Sequence, residues 1–278
     1  MKRKIIKQGN RSFTLTLPVK WVRGNGFKGG EEVDINDDEG RLVITADALQ
    51  AIRSASFSVK NMDEKNIRFV LNQLYRKGFS KIVLKDISAP QFRIVELLVD
   101  SQFSGVEIVN KTAGDCLIEV ITEPKKDTFD IIFRKMFFII QESLSIVCSK
   151  EDLPRIAKLT DKARVYEQFC KRFIANNIKS VEGFEMYVSL SYLLLVQTDI
   201  NRMPKSPSVN DCRQVLNLFN DVAGAFYKKD IQEMYKTQKR AYEMISLLIN
   251  KKSEHYITEI TRIIYSLHSP LMGLIMRA

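Results

Sequence analysis

Lys4, Lys7, Arg11, Lys20 and Arg23 stand in a stretch of chain that carries no counter-charge. Lys2, Arg3 and Lys28 join them, and no Asp or Glu precedes Glu31. Ammonium and guanidinium groups gathered in this way can hold phosphate oxygens, and a guanidinium can also reach the edge of a guanine. The remainder of the chain mixes its signs: residues 48–126 hold 12 basic and 9 acidic side chains, and residues 127–278 hold 22 and 17. The clustering therefore carries more information than the net charge of +10, which by itself admits nucleic acid, an anionic membrane or a phosphate ligand. Basic runs on exposed strands are commonly no more than a solvated face. Here Arg11, beside the Gly9-Asn10 turn, is the foremost candidate for a contact to double-stranded DNA, with Lys4, Lys7, Lys20 and Arg23 around it. Contacts of this kind mostly fix position on the phosphates and weaken steeply with salt.

Other groups that could do chemistry do not assemble in the sequence. His255 and Glu259 have the i, i+4 spacing of a metal pair, but they lack a third ligand and fit a solvated helix face better. Glu96 and Asp100 share a helix face without a nucleophile, a histidine or a phosphate loop beside them. The "GNG" at 24–26 and "KGG" at 28–30 do not make a G-x-x-x-x-G-K-[ST] loop. The sole tryptophan, Trp21, is expected to pack rather than to stack on a base. His268 precedes Ser269-Pro270 inside the last helical pattern, where Pro270 should kink it. Cys116, Cys148, Cys170 and Cys212 show no C-x-x-C and read as buried free thiols in a reducing cytoplasm. No catalytic residue, cofactor or metal site is expected.

The elements that must position the basic cluster follow from periodicity. Ile5 and Ile6 open a strand that ends at Gly9-Asn10, and Phe13, Leu15 and Leu17 alternate with Thr14 and Thr16 in a second. Pro18 suits the first turn of a short helix through Trp21 and Val22. Val33 and Ile35, the "DDEG" turn, and Leu42 and Ile44 complete a ββαββ unit over residues 1–47. Below about 50 residues, without a disulfide or a metal, such a unit needs a second copy or the rest of the chain to cover its apolar strand faces. Residues 48–126 read as a small α/β domain, β-α-β-α-β-β, with Asp63 capping its first helix and Gly105 closing its second. Residues 127–278 read as six helices. Phe129, Ile132, Phe133, Met136, Ile140, Leu144 and Val147 line one of them, and Ile156, Leu159, Ala163, Tyr166, Cys170 and Phe173 the next. The break at Pro204/Pro207 divides the six into two sets of three, a hint of duplication.

The stretch "KQGNRSFTLTLPVKWVRGNGFKGGEEVDI" resembles the SpoVT-AbrB family, including antitoxins of the MazE type. The likeness rests on the basic first strand, Gly9-Asn10, "TLP" at Thr16–Pro18, the short helix and the run Gly26–Val33. It implies a swapped-hairpin β-barrel made by two interleaved chains, with DNA held by the first strand, the following loop and the short helix. Members often carry paired arginines in that helix, where this chain has Val22-Arg23. The helical part, from "FRKMFFIIQESL" onward, resembles the PhoU family of phosphate-uptake regulators, built as two three-helix bundles. The E/D-x-x-x-D metal motifs common in that family do not occur in 127–278. A SpoVT-AbrB head joined to a PhoU-like tail is an arrangement seen in archaeal members.

Together these readings give a multi-domain α and β chain: a dimeric swapped-hairpin head, a small α/β middle and a six-helix PhoU-like tail. The expected function is a cytoplasmic DNA-binding transcriptional regulator of phosphate uptake, not an enzyme. It would act as a homodimer on double-stranded DNA, with a phosphate-transporter or signalling protein as partner of the tail. No apolar run is long enough to span a membrane, and no secretory signal is expected. The rival reading is a signalling scaffold that inhibits phosphate transport through protein contacts, its head serving only to dimerise.

Overall fold

The computed structural model describes residues 2–9, 11–38, 41–45, 53–112, 114–178, 180–203, 208–249 and 255–276. The turn residues Asn10, Glu39, Gly40 and Ala113, the Pro204/Pro207 break and the break at Lys251–Ser253 lie outside them. The chain divides into two compact units, Met1–Arg53 and Ser54–Ala278.

In the first unit, β1 (Ile5–Gln8) and β2 (Ser12–Leu15) form an antiparallel ribbon, with Ile5 opposite Leu15 and Lys7 opposite Phe13. Pro18 lies at the N-cap of α1 (Val19–Gly24), the position its fixed φ favours. β3 (Asp34–Asp38) and β4 (Arg41–Thr45) form a second antiparallel ribbon. The two ribbons are separate sheets, so a single chain closes no barrel among the described residues. Their apolar side chains stay open: Ile5, Phe13 and Leu42 are each about two-thirds exposed or more, at 72%, 68% and 67%.

The second unit begins with a four-stranded sheet in the order β5-β6-β8-β7. β5 (Ser54–Ser58) runs parallel to β6 (Lys81–Lys85), and β8 (Cys116–Val120) lies antiparallel between β6 and β7 (Val106–Lys111). The two connections after β5 and β6 are helices, as a parallel pair and a skipped strand require. α2 (Glu64–Arg76) starts at Asp63, whose carboxylate accepts from the Asn66 amide at 2.8 Å. α3 (Ala89–Gln102) starts at Ser88, and Gln91 reaches back to the Ser88 amide in a capping box. Ile67, Leu71, Phe92, Val95 and Leu98 from the helices meet Ile82, Leu84, Cys116 and Ile118 from the sheet in one core. Gly105, at φ +69°, turns the chain into β7; a Cβ there would stand 2.7 Å from the Thr122 carbonyl oxygen.

Six helices follow: α4 (Lys126–Ser149), α5 (Pro154–Asn177), α6 (Val181–Arg202), α7 (Val209–Lys228), α8 (Ile231–Ile249) and α9 (His255–Ile275). α4, α5 and α6 pack on one another, and so do α7, α8 and α9. The two triplets then join through α4 on α7 and α6 on α9. Exchanging α4 with α7, α5 with α8 and α6 with α9 leaves these contacts unchanged, the pattern expected of a repeated three-helix unit. Within the first triplet, buried Gln197 donates to Ser143 at 2.9 Å and to Thr160 at 3.0 Å, tying α6 to α4 and α5. Across the triplets Phe137 stacks on Phe226 at 5.7 Å, while Phe129 stacks on Phe173 inside the first. Pro270 sits inside α9, which continues to Ile275.

The α/β part and the helices are fastened by charged side chains of α5. Arg172, fully buried, donates from Nη1 to the Tyr75 and Phe79 carbonyls, each at 2.9 Å. Its Nε reaches Glu123 at 2.8 Å, and its Nη2 pairs with the same carboxylate. Arg76, in the last turn of α2, donates to Glu167 at 2.8 Å and to Gln168 at 2.7 Å. Glu167 also holds Lys171 at 2.5 Å, and Lys171 donates onward to Ser191 of α6 at 2.7 Å. Burial lowers the Lys171 pKa and the Glu167 carboxylate opposes that shift. Charges as buried as these persist only because each is paired and hydrogen-bonded.

Candidate nucleic-acid interface

The five basic candidates are all exposed, and all sit in the first unit. Lys4 precedes β1, and Arg11 occupies the turn into β2. Side chains alternate along a strand, so register decides which face each residue takes. Ile5, Lys7, Phe13 and Leu15 share one face of the β1–β2 ribbon, and Ile6, Gln8, Ser12 and Thr14 share the other. Lys7 therefore lies on the apolar face, at its turn end, rather than opposite it. Only the pairing, not the strand pattern, reveals this.

Lys20 and Arg23 are three residues apart on α1 and so lie on neighbouring positions of one helix side. Half-buried Trp21 stacks on Phe27 with ring centroids 5.6 Å apart, which anchors the helix and leaves the two cations outward. Asn25 closes α1 by donating from Nδ2 to the Trp21 carbonyl at 2.8 Å. The next turn is held by Glu31, whose carboxylate accepts from the amides of Lys28 at 2.9 Å and Gly29 at 2.7 Å. Those amides hold its pKa below the ordinary carboxylate value. Gly29 and Gly30 take φ of +115° and +95°, backbone that only glycine adopts freely. The first acid in the sequence is thus spent on a backbone turn and does not neutralise a candidate cation.

The remaining candidates take structural positions. Glu259 pairs with Arg262, and the ring beside His255 is that of Tyr256. His268 is buried, with Nδ1 2.9 Å from the Ile264 carbonyl and Nε2 3.1 Å from Thr237 Oγ1. Burial lowers its pKa, which favours the neutral ring as a link between α8 and α9. Glu96 and Asp100 line a surface recess with Glu107. Among the described residues no three His, Cys, Asp or Glu side chains converge as a metal site. No described helix is long and apolar enough to cross a membrane. The sequence reading missed Glu123, Glu167, Lys171 and Arg172. A signal for the last three was present, because charged residues interrupt α5 where its apolar positions continue on both sides.

The geometry defines a small two-ribbon head whose first ribbon and short helix carry only basic charges, followed by a larger body of α/β and helical parts. Residues 6–48 match the family described as antidote-toxin recognition MazE, bacterial antitoxin. The head is therefore a MazE/AbrB-like domain, which suggests a DNA-binding or antitoxin-like regulator. No curated protein matches the chain. No solved structure matches it either.

Proposed function

We propose that the chain is a transcriptional regulator whose head binds double-stranded DNA as a homodimer and whose body receives the regulatory signal. One observation carries the reading: a MazE-like head presents Lys4, Arg11, Lys20 and Arg23 to solvent, with exposed Lys7 at the turn end of the apolar face, while its ribbon faces lack a cover. Interleaving two heads as a swapped-hairpin barrel would bury Ile5, Phe13, Leu15, Ile35 and Leu42. Fully burying each such side chain contributes about 1.5–3 kcal/mol. The same pairing would set two copies of Arg11 and of the α1 cations on one assembly, matched to two phosphate tracks.

The body supplies the second half of the reading. Two closed three-helix units support a PhoU-like tail, and with it a role in phosphate homeostasis through a transporter or signalling partner. The reading assigns the chain no catalytic step and no resident metal or cofactor.

A mobility-shift titration of the full chain on the DNA upstream of its own gene and of phosphate-transport genes, at 50 and 200 mM salt, tests the DNA step. With six to ten phosphates neutralised by a dimer, affinity should fall by roughly 10³–10⁵ between the two conditions. Arg11→Ala with Lys20→Ala should weaken binding at low salt and flatten the salt slope by about one per lost contact in each copy. No complex at low salt overturns the DNA reading in favour of a scaffold. Unchanged binding by the double variant overturns the site assignment alone.

A further inference from the structure

The two triplets differ in what covers their outer helix. α5 is overlaid by α2 and α3 and fastened to them by Arg76, Glu167 and Arg172. α8, its counterpart, packs on α7 and α9, and among the described residues no element packs on its outer side as α2 and α3 pack on α5. Its inward positions are Met234, Thr237, Ala241, Met244 and Leu248, all buried. Its outermost positions are Gln232, Lys236, Lys239, Glu243 and Ser246, all polar, while exposed Leu247 lies on the Arg240 flank. Between the two runs a third stripe: Ile231, Tyr235, Gln238, Tyr242, Ile245 and Ile249.

That stripe steps alternately by four and three along the whole helix, the spacing of a coiled-coil seam. It contains no charge and extends about 27 Å at 1.5 Å per residue. Ile231, Tyr235, Tyr242 and Ile249 are exposed, and Gln238 and Ile245 half-buried. Arg240, on the far flank, is turned to Asp221 of α7 at 2.7 Å, so it does not cross the stripe. Tyr265 of α9 stands beside Tyr242, with ring centroids 6.2 Å apart, and widens the apolar strip.

The sequence of the stripe says what fits it. Reversing the helix about residue 240 maps the set onto itself: Ile231 onto Ile249, Tyr235 onto Ile245 and Gln238 onto Tyr242. A second α8 laid antiparallel would place isoleucine on isoleucine at both ends and tyrosine on isoleucine inside them. At the centre it would bring each Gln238 amide to the Tyr242 hydroxyl of the other copy. Lys239, which reaches Glu243 of its own helix only at 3.9 Å, would meet a second Glu243 across the axis. Self-complementarity under a two-fold rotation is what an isologous contact requires.

We infer that the α8–α9 face is a docking surface for a second copy of this chain, the two α8 helices packing antiparallel through Ile231, Tyr235, Gln238, Tyr242, Ile245 and Ile249. The contact is distinct from any pairing of the heads and joins the bodies directly.

The test is site-directed cross-linking of the full chain. A short bis-maleimide should join Lys239→Cys to itself across the axis, identified as a 239–239 linked peptide by mass spectrometry. Lys158→Cys on α5 should give no self-linked product, which separates this contact from proximity created by head pairing. Adding Tyr242→Glu to Lys239→Cys should cut the linked fraction by about tenfold or more, because it removes an aromatic anchor at the centre of the contact and puts an unpaired carboxylate there. The unfolding midpoint of that double variant, measured in parallel, should match that of Lys239→Cys alone, since Tyr242 is exposed in the single chain. Absence of the 239–239 peptide overturns the inference. So does a linked fraction that Tyr242→Glu leaves unchanged.

Discussion

Arg172 offers the sharpest test of how the body is held together. Replacing it by Met keeps a long apolar stem and removes every donor. The change removes the guanidinium from the Tyr75 carbonyl at the end of α2, which keeps the Gly78 amide, from the Phe79 carbonyl just beyond it, and from the Glu123 carboxylate, which keeps Asn176. Helix-terminal carbonyls have no partner within the helix, so Arg172 both caps α2 and places a cation at the negative end of its dipole. Hydrogen bonds to a charged group contribute about 1.5–3 kcal/mol each, so losing those from Arg172 to the buried carbonyls and to Glu123 costs about 3–5 kcal/mol. The reverse cut should cost less. Glu123 is 34% exposed, so in Glu123→Gln water and the remaining amide oxygen can take over part of its work. A loss of about 1–2 kcal/mol is expected there.

The assay can separate the two units. Trp21, the sole tryptophan, lies in the head, whereas helical ellipticity comes mainly from the body. In urea, Arg172→Met should move the ellipticity transition down by about 3–5 kcal/mol and leave the tryptophan transition in place. Equal losses for Arg172→Met and Glu123→Gln would refute the argument, because they would make the ion pair and not the capped carbonyls decisive. A loss below about 1 kcal/mol for Arg172→Met would refute it outright, since a buried guanidinium with these partners could not then matter to the fold.

Three further outcomes follow from single sites. Gly105→Ala should destabilise the body by roughly 2–4 kcal/mol in the same urea titration, because it combines an unfavourable positive φ with a backbone oxygen 2.7 Å from the new Cβ. In native thiol labelling Cys148 should react first, being half-buried, while Cys116, Cys170 and Cys212 wait for unfolding. Burial raises the Cys116 thiol to about 11 and also raises that of Cys170, so neither offers much thiolate at neutral pH. His268 has a folded pKa lowered below its ordinary value of 6.5. The unfolded chain therefore binds the proton more readily, and stability should be full above about pH 6.5 and fall as pH drops below it. His268→Gln should remove that part of the pH dependence in thermal melts; an unchanged pH profile would refute the assignment.

How far the sequence could be read depended on the range of the interaction concerned. Elements set by local period were legible. The alternation at Phe13 and Leu15, the cap at Asp63 and the three-four spacing from Phe129 to Val147 each match a strand, a helix start or a buried helix face in the structure. These depend on neighbours within about one turn of chain, so composition and spacing suffice. What escaped was set by register and by contacts distant in sequence. Lys7 appeared to belong with the outward cations, yet its pairing with Phe13 puts it on the apolar face. Arg172 reads like any surface arginine until the end of α2, the Phe79–Ser80 turn and the segment after β8 close around it, from residues 49 to 97 positions away.

The same distinction separates the basic cluster from the seam on α5. Lys20 and Arg23 are outward because a short helix packs Trp21 inward against Phe27, a local consequence of sequence. Glu167, Lys171 and Arg172 are inward because α5 has neighbours on nearly every side from Glu167 to Ile174. A helix buried all round can carry charge only where each charge meets a partner, so these three residues report the packing of the body rather than a site. The head shows the opposite arrangement, with exposed cations and uncovered apolar strands within one small unit. Folding alone explains the charges of α5. It does not account for the head, whose uncovered strands and exposed cations are what the proposed pairing and DNA contact would use.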